Sequence, residues 1–178
     1  MRNQVVLLCG GPDRCGKTNI LAELNRITGI PTFKASDEHE NFLGTQDRFL
    51  MTLRYADPRM VDLIKQANVS VLVDRAYMCE WVYSRFFGRQ TDETALRRID
   101  NSYANLGARI LICTRKDFTG IVDDLNPKLD SEALARISGL YDEFIMWTNC
   151  RTYRLFVDDE DLDRECTEIL DFMGRKRK

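Results

Sequence analysis

Residues 4–20 read Gln4-Val-Val-Leu-Leu-Cys-Gly-Gly-Pro-Asp-Arg-Cys-Gly-Lys-Thr-Asn-Ile20, an apolar run that breaks into Gly11-x-x-x-x-Gly16-Lys17-Thr18. An apolar strand that meets glycine and then opens a helix is the context in which this spacing forms a Walker A phosphate loop. Val5–Cys9 predicts the strand and Thr18–Thr28 the helix. Glycine is needed where the chain turns sharply, and the backbone N–H groups of Asp13, Arg14, Cys15, Gly16, Lys17 and Thr18 then converge on an anion. The positive end of the helix, with Asn19 in its first turn, reinforces that site. In such a loop Lys17 reaches the β- and γ-phosphates of a nucleoside triphosphate, and the Thr18 hydroxyl ligates Mg²⁺.

The remaining composition sets limits around this loop. At 178 residues, the chain has the length of one domain, residues 1–178. With 44% hydrophobic and 30% charged residues it can bury a full core. A net charge of −2 argues against a surface built mainly for duplex nucleic acid. The basic tail Gly174-Arg-Lys-Arg-Lys178 reads as a solvated terminus rather than a polyanion site. Cys9, Cys15, Cys79, Cys113, Cys150 and Cys166 show no Cys-x-x-Cys spacing, so buried thiols in a reducing cytoplasm are expected, without disulfides or zinc. No secretory leader and no membrane-spanning run are expected, and the single histidine, His39, reads as a loop residue.

Strand-like and helical runs alternate along the chain. Thr32–Ala35 is short and is expected near a sheet edge, whereas Val69–Asp74 and Arg109–Cys113 are continuous β-branched and leucine runs of the kind buried in parallel sheets. Tyr153–Val157 is the fifth strand. Between them, the spacing predicts helices over Thr18–Thr28, Thr45–Gln66, Met78–Phe87, Thr91–Leu106, Ser131–Trp147 and Asp161–Phe172. Pro58 interrupts the second of these and predicts a break near Asp57, while Ser131 reads as an N-cap. The alternation gives an α/β fold: a three-layer α/β/α P-loop NTPase arrangement on a five-stranded parallel sheet. The irregular stretches 36–44 and 114–130 both follow strands, where ligands sit in such folds, so substrate and lid are expected there.

Phosphoryl transfer needs positioning and charge stabilisation more than covalent help. The third strand ends in Asp74-Arg75, which places a carboxylate and a guanidinium beside the phosphate loop if the first and third strands are neighbours. Asp74 can then hold Mg²⁺ through water, and Arg75 can clamp a phosphate or 5′-oxygen of an acceptor; a structural ion pair is the alternative. Arg115, where the fourth strand stops, and Arg14, inside the phosphate loop, are rival cations for the transferring phosphate. Phe42, Phe49, Tyr77, Trp81 and Tyr83 lie in the segments expected to flank an acceptor base, although aromatics at helical spacing also build cores. Phe144, Trp147 and Phe172 read as core.

Several of these segments carry a family resemblance. Val69-Ser-Val-Leu-Val-Asp74-Arg75-Ala-Tyr77, followed by Tyr83, resembles the Asp-Arg-Tyr segment of thymidylate kinases. Leu53-Arg-Tyr-Ala56-Asp57-Pro-Arg59 resembles their Phe-Ala-x-x-Arg helix, whose arginine contacts the acceptor monophosphate. Pro58 shifts that spacing, so Arg59 and Arg54 compete for the role. Other pieces are similar to deoxynucleoside kinases. Gln46-x-x-x-Leu50-Met-Thr-Leu53 resembles the helix in which a glutamine hydrogen-bonds the base. Phe156-Val157-Asp158-Asp159-Glu160-Asp161 is similar to the Asp-Val-Asn-Glu-Asp loop that packs around the adenine of ATP.

The departures are as informative as the matches. Thymidylate kinases carry Arg-Glu-Pro-Gly-Gly after the second strand, where this chain has Lys34-Ala-Ser36-Asp37-Glu38-His39-Glu40. Nucleoside kinases place a general base there, which a hydroxyl acceptor needs and an ionised phosphate does not. Asp37, with Glu38 as substitute, is the candidate base for an alcohol acceptor; a solvated acidic loop is the other reading.

The resemblance implies an ATP- and Mg²⁺-dependent kinase acting on a deoxynucleoside or deoxynucleoside monophosphate, and dimers are common in that superfamily. A kinase acting on a hydroxyl of DNA is a second reading. A nucleotide-binding switch is a third, but the Asn-Lys-x-Asp guanine motif of such proteins is absent.

Overall fold

The run Val-Leu-Leu-Cys-Gly carries no charged side chain and forms β1 (Val6–Gly10), buried along its whole length. β1 is the central strand of an all-parallel sheet whose order is β2-β3-β1-β4-β5. Its partners are β2 (Thr32–Lys34), β3 (Val71–Asp74), β4 (Arg109–Thr114) and β5 (Arg151–Phe156). The short β2 is an edge strand, as expected. The computed structural model describes residues 4–34, 54, 56–122 and 129–175.

Six helices cover the sheet among the described residues: α1 (Lys17–Thr28), α2 (Asp57–Ala67), α3 (Tyr77–Phe86), α4 (Glu93–Asn105), α5 (Ser131–Trp147) and α6 (Leu162–Phe172). α1 packs against α6, while α3 packs on α4 and α5, and α2 on α4. The result is the expected three-layer α/β/α fold.

Register places the chemistry. Cys9 of β1 pairs with Asp74 of β3, which in turn pairs with Lys34 of β2, while Gly10 pairs with Ile112 of β4. The Arg75 N–H donates to the Cys9 carbonyl at 2.9 Å, which extends the ladder one residue past β3. The carboxyl ends of β1, β2 and β3 therefore converge where the phosphate loop leaves the sheet.

Local differences from expectation have local causes. Pro58 lies in the first turn of α2, where its missing N–H has no partner to lose, so the expected break is the start of that helix. Residues 45–53 of the longer expected helix lie outside the described residues. Asp130, not Ser131, caps α5 by accepting from the Ala133 N–H at 2.9 Å. The Ser131 hydroxyl is spent on the Ile121 carbonyl at 3.0 Å. Asp161 and Asp92 cap α6 and α4 in the same way.

Phe144 and Phe172 are buried, and Trp147 is half-buried with the Arg97 guanidinium 3.6 Å from its ring centre. All six cysteines are free, including Cys9 and Cys113, whose buried sulfurs lie 3.8 Å apart. Among the described residues no helix is long and apolar enough to cross a membrane.

Candidate active site

The phosphate loop has a shape that only its own residues allow. Gly11 adopts φ +131°, and a Cβ there would stand 1.9 Å from the Cys113 carbonyl oxygen, so no larger residue fits. Gly16 caps α1 in the left-handed conformation and offers no side-chain cap, and the first turn carries no acidic residue. The positive end of α1 is therefore left to an external anion. Lys17 is buried, with Nζ donating to the Gly11 carbonyl at 3.0 Å and to the Pro12 carbonyl. Cys15 packs inward, and burial pushes its thiol up to about 11, so its contribution to the loop is its backbone.

Beside the loop, Asp13 receives an ion pair from Arg75 and a hydrogen bond from the Tyr83 hydroxyl at 3.0 Å. Burial works to raise the Asp13 pKa, but the charges of Arg75 and Lys17 outweigh it and hold the carboxyl below its ordinary value. Burial, and then the Asp13 charge, raise the Tyr83 pKa, so its phenol stays protonated and donates. Asp13 and Tyr83 together fix Arg75 at the mouth of a bay of about 440 Å³. Asp13–Asn19, Lys34, Asp74 and Arg75 line that bay. Asp74 is 6% exposed, and its Oδ1 has no hydrogen-bond partner among the described residues. A buried carboxylate oxygen left unpaired beside Thr18 and Lys17 suits a hydrated divalent cation that bridges to phosphates.

A second cleft of about 590 Å³ continues from the loop at Arg14 and Gly16. Its walls include Asn19, Ile20, Arg115, Ile121, Val157 and Leu162. Arg115 bridges two of its sides, donating from Nε to the Arg14 carbonyl at 3.2 Å and from Nη2 to Glu160 at 3.1 Å. Arg14, Arg75 and Glu160 all hold positive φ, at 62°, 63° and 52°. Strained non-glycine backbone thus borders both cavities, as it commonly does at functional sites.

The structure places the expected site residues unevenly. Gly11, Asp13, Arg14, Cys15, Gly16, Lys17, Thr18, Asn19, Asp74 and Arg75 form or flank the phosphate loop. Arg115 lines the cleft and not the bay, whereas Arg14 lines both. Two expectations need correction, those for Tyr77 and for the Asp158–Asp159 pair. Tyr77 is 1% exposed, stacks on Tyr103 and donates to the buried Asp100 at 2.6 Å, so it belongs to the core and cannot touch an acceptor. Asp158 and Asp159 support the cleft without lining it. The former accepts from the Lys116 N–H at 2.9 Å, and the latter pairs with Arg164. Arg59 is exposed on α2 and lines neither cavity, and its rival Arg54 is paired with Asp92. Trp81, also considered for the acceptor base, is 4% exposed against Phe144 and Trp147. Asp37, Phe42, Gln46 and Phe49 lie outside the described residues, as does residue range 123–128 of the expected lid.

Sequence reasoning missed Lys34 in the bay and Glu165 in the cleft, and named Glu160 only as part of the loop expected around adenine. Glu165 had a legible signal. Leu162, Cys166, Ile169 and Leu170 set the inward stripe of α6, and Glu165 lies within that stripe as a charge.

No family model and no curated protein matches the sequence. Solved structures do. The Bacillus subtilis YorR protein, crystallised in complex with phosphorylated GDP, is 20% identical, with TM-score 0.71 over 96% of both chains. Thymidylate kinase from Candida albicans is 16% identical, with TM-score 0.60 over 97% of this chain and 92% of its own. Deoxyadenosine kinase from M. mycoides is 15% identical, with TM-score 0.54 over 96% of this chain and 99% of its own. The fold is that of the P-loop nucleoside and nucleotide kinases.

Proposed function

We propose that the protein is a phosphotransferase that moves the γ-phosphoryl group of a purine nucleoside triphosphate, ATP in the sequence-based expectation, onto a deoxynucleoside monophosphate or deoxynucleoside. The observation that carries this is the bay itself: Lys17, Thr18, Asp74 and Arg75 meet at the carboxyl ends of β1 and β3. The kinase fold, and the nucleotide held by the YorR protein, support the same reading.

The roles follow from position. The α1 end and the loop backbone hold the phosphates, while Lys17 leaves the Gly11 and Pro12 carbonyls to reach the β- and γ-groups. Thr18 and Asp74 are the residues to hold Mg²⁺, whose charge offsets that on the phosphoryl oxygens. Arg75, steadied by Asp13 and Tyr83, faces the acceptor's phosphate or 5′-oxygen. Arg14 stabilises the transferring group, with Arg115 fixing the loop through the Arg14 carbonyl. The nucleoside of the donor occupies the larger cleft. Phe42, Phe49 and Gln46 read the acceptor base, and Asp37 serves as general base when the acceptor is an alcohol.

Labelled triphosphate offered with a panel of deoxynucleosides, their monophosphates and DNA oligomers tests this. Label should pass to a free nucleoside or monophosphate, and Arg75→Ala should cost roughly a hundred-fold or more in kcat. If the acceptor is a nucleoside, Asp37→Asn should cost about as much. Transfer to DNA alone, or to no acceptor at all, would contradict the proposal.

A further inference from the structure

Glu165 sits in the first turns of α6 and lines the larger cleft, yet it is only 4% exposed. Its carboxylate makes no hydrogen bond among the described residues, and Oε1 is fully enclosed. Of the two cations that act on it among the described residues, Arg115 is engaged with the Arg14 carbonyl and Glu160, and Arg164 places its Nη2 4.0 Å from Oε1. That guanidinium is already committed to Asp159, Glu168 and the Phe156 carbonyl, at 2.6 to 2.9 Å. A buried carboxylate without donors is costly, and evolution removes such groups cheaply by substitution to an apolar residue. Neighbouring inward positions of α6 are apolar; the positive end of the helix favours an acidic residue in this turn but does not call for a buried one.

The remaining question is what would donate to it. The cleft opens from the phosphate loop at Arg14 and Gly16, and its apolar walls include Ile20, Ile121, Val157 and Leu162, surfaces suited to the faces of a flat ring. A base lying between them would turn one edge toward the Glu165 carboxylate. Adenine offers there a single amino group beside a ring nitrogen whose lone pair repels the second oxygen. Guanine offers two adjacent donors, its ring N1–H and its 2-amino group, which match both oxygens of a carboxylate once the Glu165 side chain turns its enclosed Oε1 toward the cleft. Uracil and cytosine each offer one.

We propose that Glu165 reads the edge of the donor base and selects guanine over adenine. This rests on the assignment of the larger cleft to the donor nucleoside. It names GTP as the preferred phosphoryl source, in place of the ATP expected from sequence.

Calorimetry on the full chain at pH 8, with magnesium and with GTP, ITP or ATP, tests it. ITP keeps the ring N1–H and lacks the 2-amino group. Affinity should fall in the order GTP, ITP, ATP, with roughly a tenfold or greater span from first to last. Glu165→Gln replaces two acceptors by one acceptor and one donor, the pattern that complements adenine. It should shift the GTP-to-ATP ratio by about tenfold or more toward ATP. The substitution removes a buried charge, so the variant should melt no lower than the parent protein. Should it fail to fold, the order of the three nucleotides on the parent protein decides alone. Equal binding of all three, tighter binding of ATP, or an unchanged ratio in Glu165→Gln would overturn the selection of guanine and leave the donor site standing. Binding of none of the three would overturn the donor site and the proposal together.

Discussion

Asp13 shows how one side chain ties stability to the site. Arg75 and Lys17 hold its pKa below the ordinary carboxylate value against the opposing effect of burial. A carboxyl depressed in this way stabilises the fold at every pH above its unfolded value, and that contribution disappears as pH falls through the folded value. Asp13→Asn should therefore lower the melting temperature at pH 7, and the gap to the parent protein should close below about pH 3.8. A gap that stays constant down to acid would mean the ion pair with Arg75 contributes nothing. At this scale, the phosphate loop was readable because its geometry admits few residues: Gly11 has no room for a Cβ, and Gly16 takes a left-handed cap. Asp74 was readable as the charged end of an apolar strand. Tyr77 misled because an Asp-Arg-x-Tyr string does not reveal which way the third side chain after the aspartate points. Its hydroxyl finds Asp100, 23 residues away, and only tertiary structure shows that pairing.

Elements were legible where a hydrophobic period and a boundary residue agree. β3 and β4, apolar on both faces, could only be inner strands, and the sheet order places them on either side of β1. Helix starts were harder to fix, because Ser and Asp adjoin at positions 130 and 131 and both are good caps. Geometry decides for Asp130, which accepts from Ala133, while Ser131 turns back to Ile121. Replacing the cap with alanine should cost about 1 kcal/mol of folding free energy. Asp130→Ala should therefore shift the urea midpoint more than Ser131→Ala, and the reverse order would return the cap to Ser131. α6 carries the less obvious lesson. Its inward stripe was visible in sequence as apolar spacing, yet the single charge within it, Glu165, marked the cleft rather than a solvated face.

At the scale of the whole molecule, the strand order 2-3-1-4-5 brings two separate cavities to the two sides of one loop. The bay, with Asp74 and Arg75, comes from β3 and β2; the cleft, with Arg115 and Glu160, comes from the segments after β4 and β5. A sequence predicts such an arrangement only through its parallel α/β alternation, which forces ligands to the carboxyl ends of the strands. It does not reveal which loop residues face inward, because Arg115, Asp158 and Glu160 are equally polar and differ only in their partners. All of these roles depend on a polyphosphate entering at Gly11–Thr18 between the two cavities. The most direct measurement is calorimetry of magnesium-bound GTP and ATP on the parent protein and on Lys17→Ala. One nucleotide should bind per chain, and Lys17→Ala should weaken it by roughly tenfold or more while the protein stays folded. Failure of both nucleotides to associate, or equal affinity in Lys17→Ala, would contradict a phosphate-gripping loop and everything built on it.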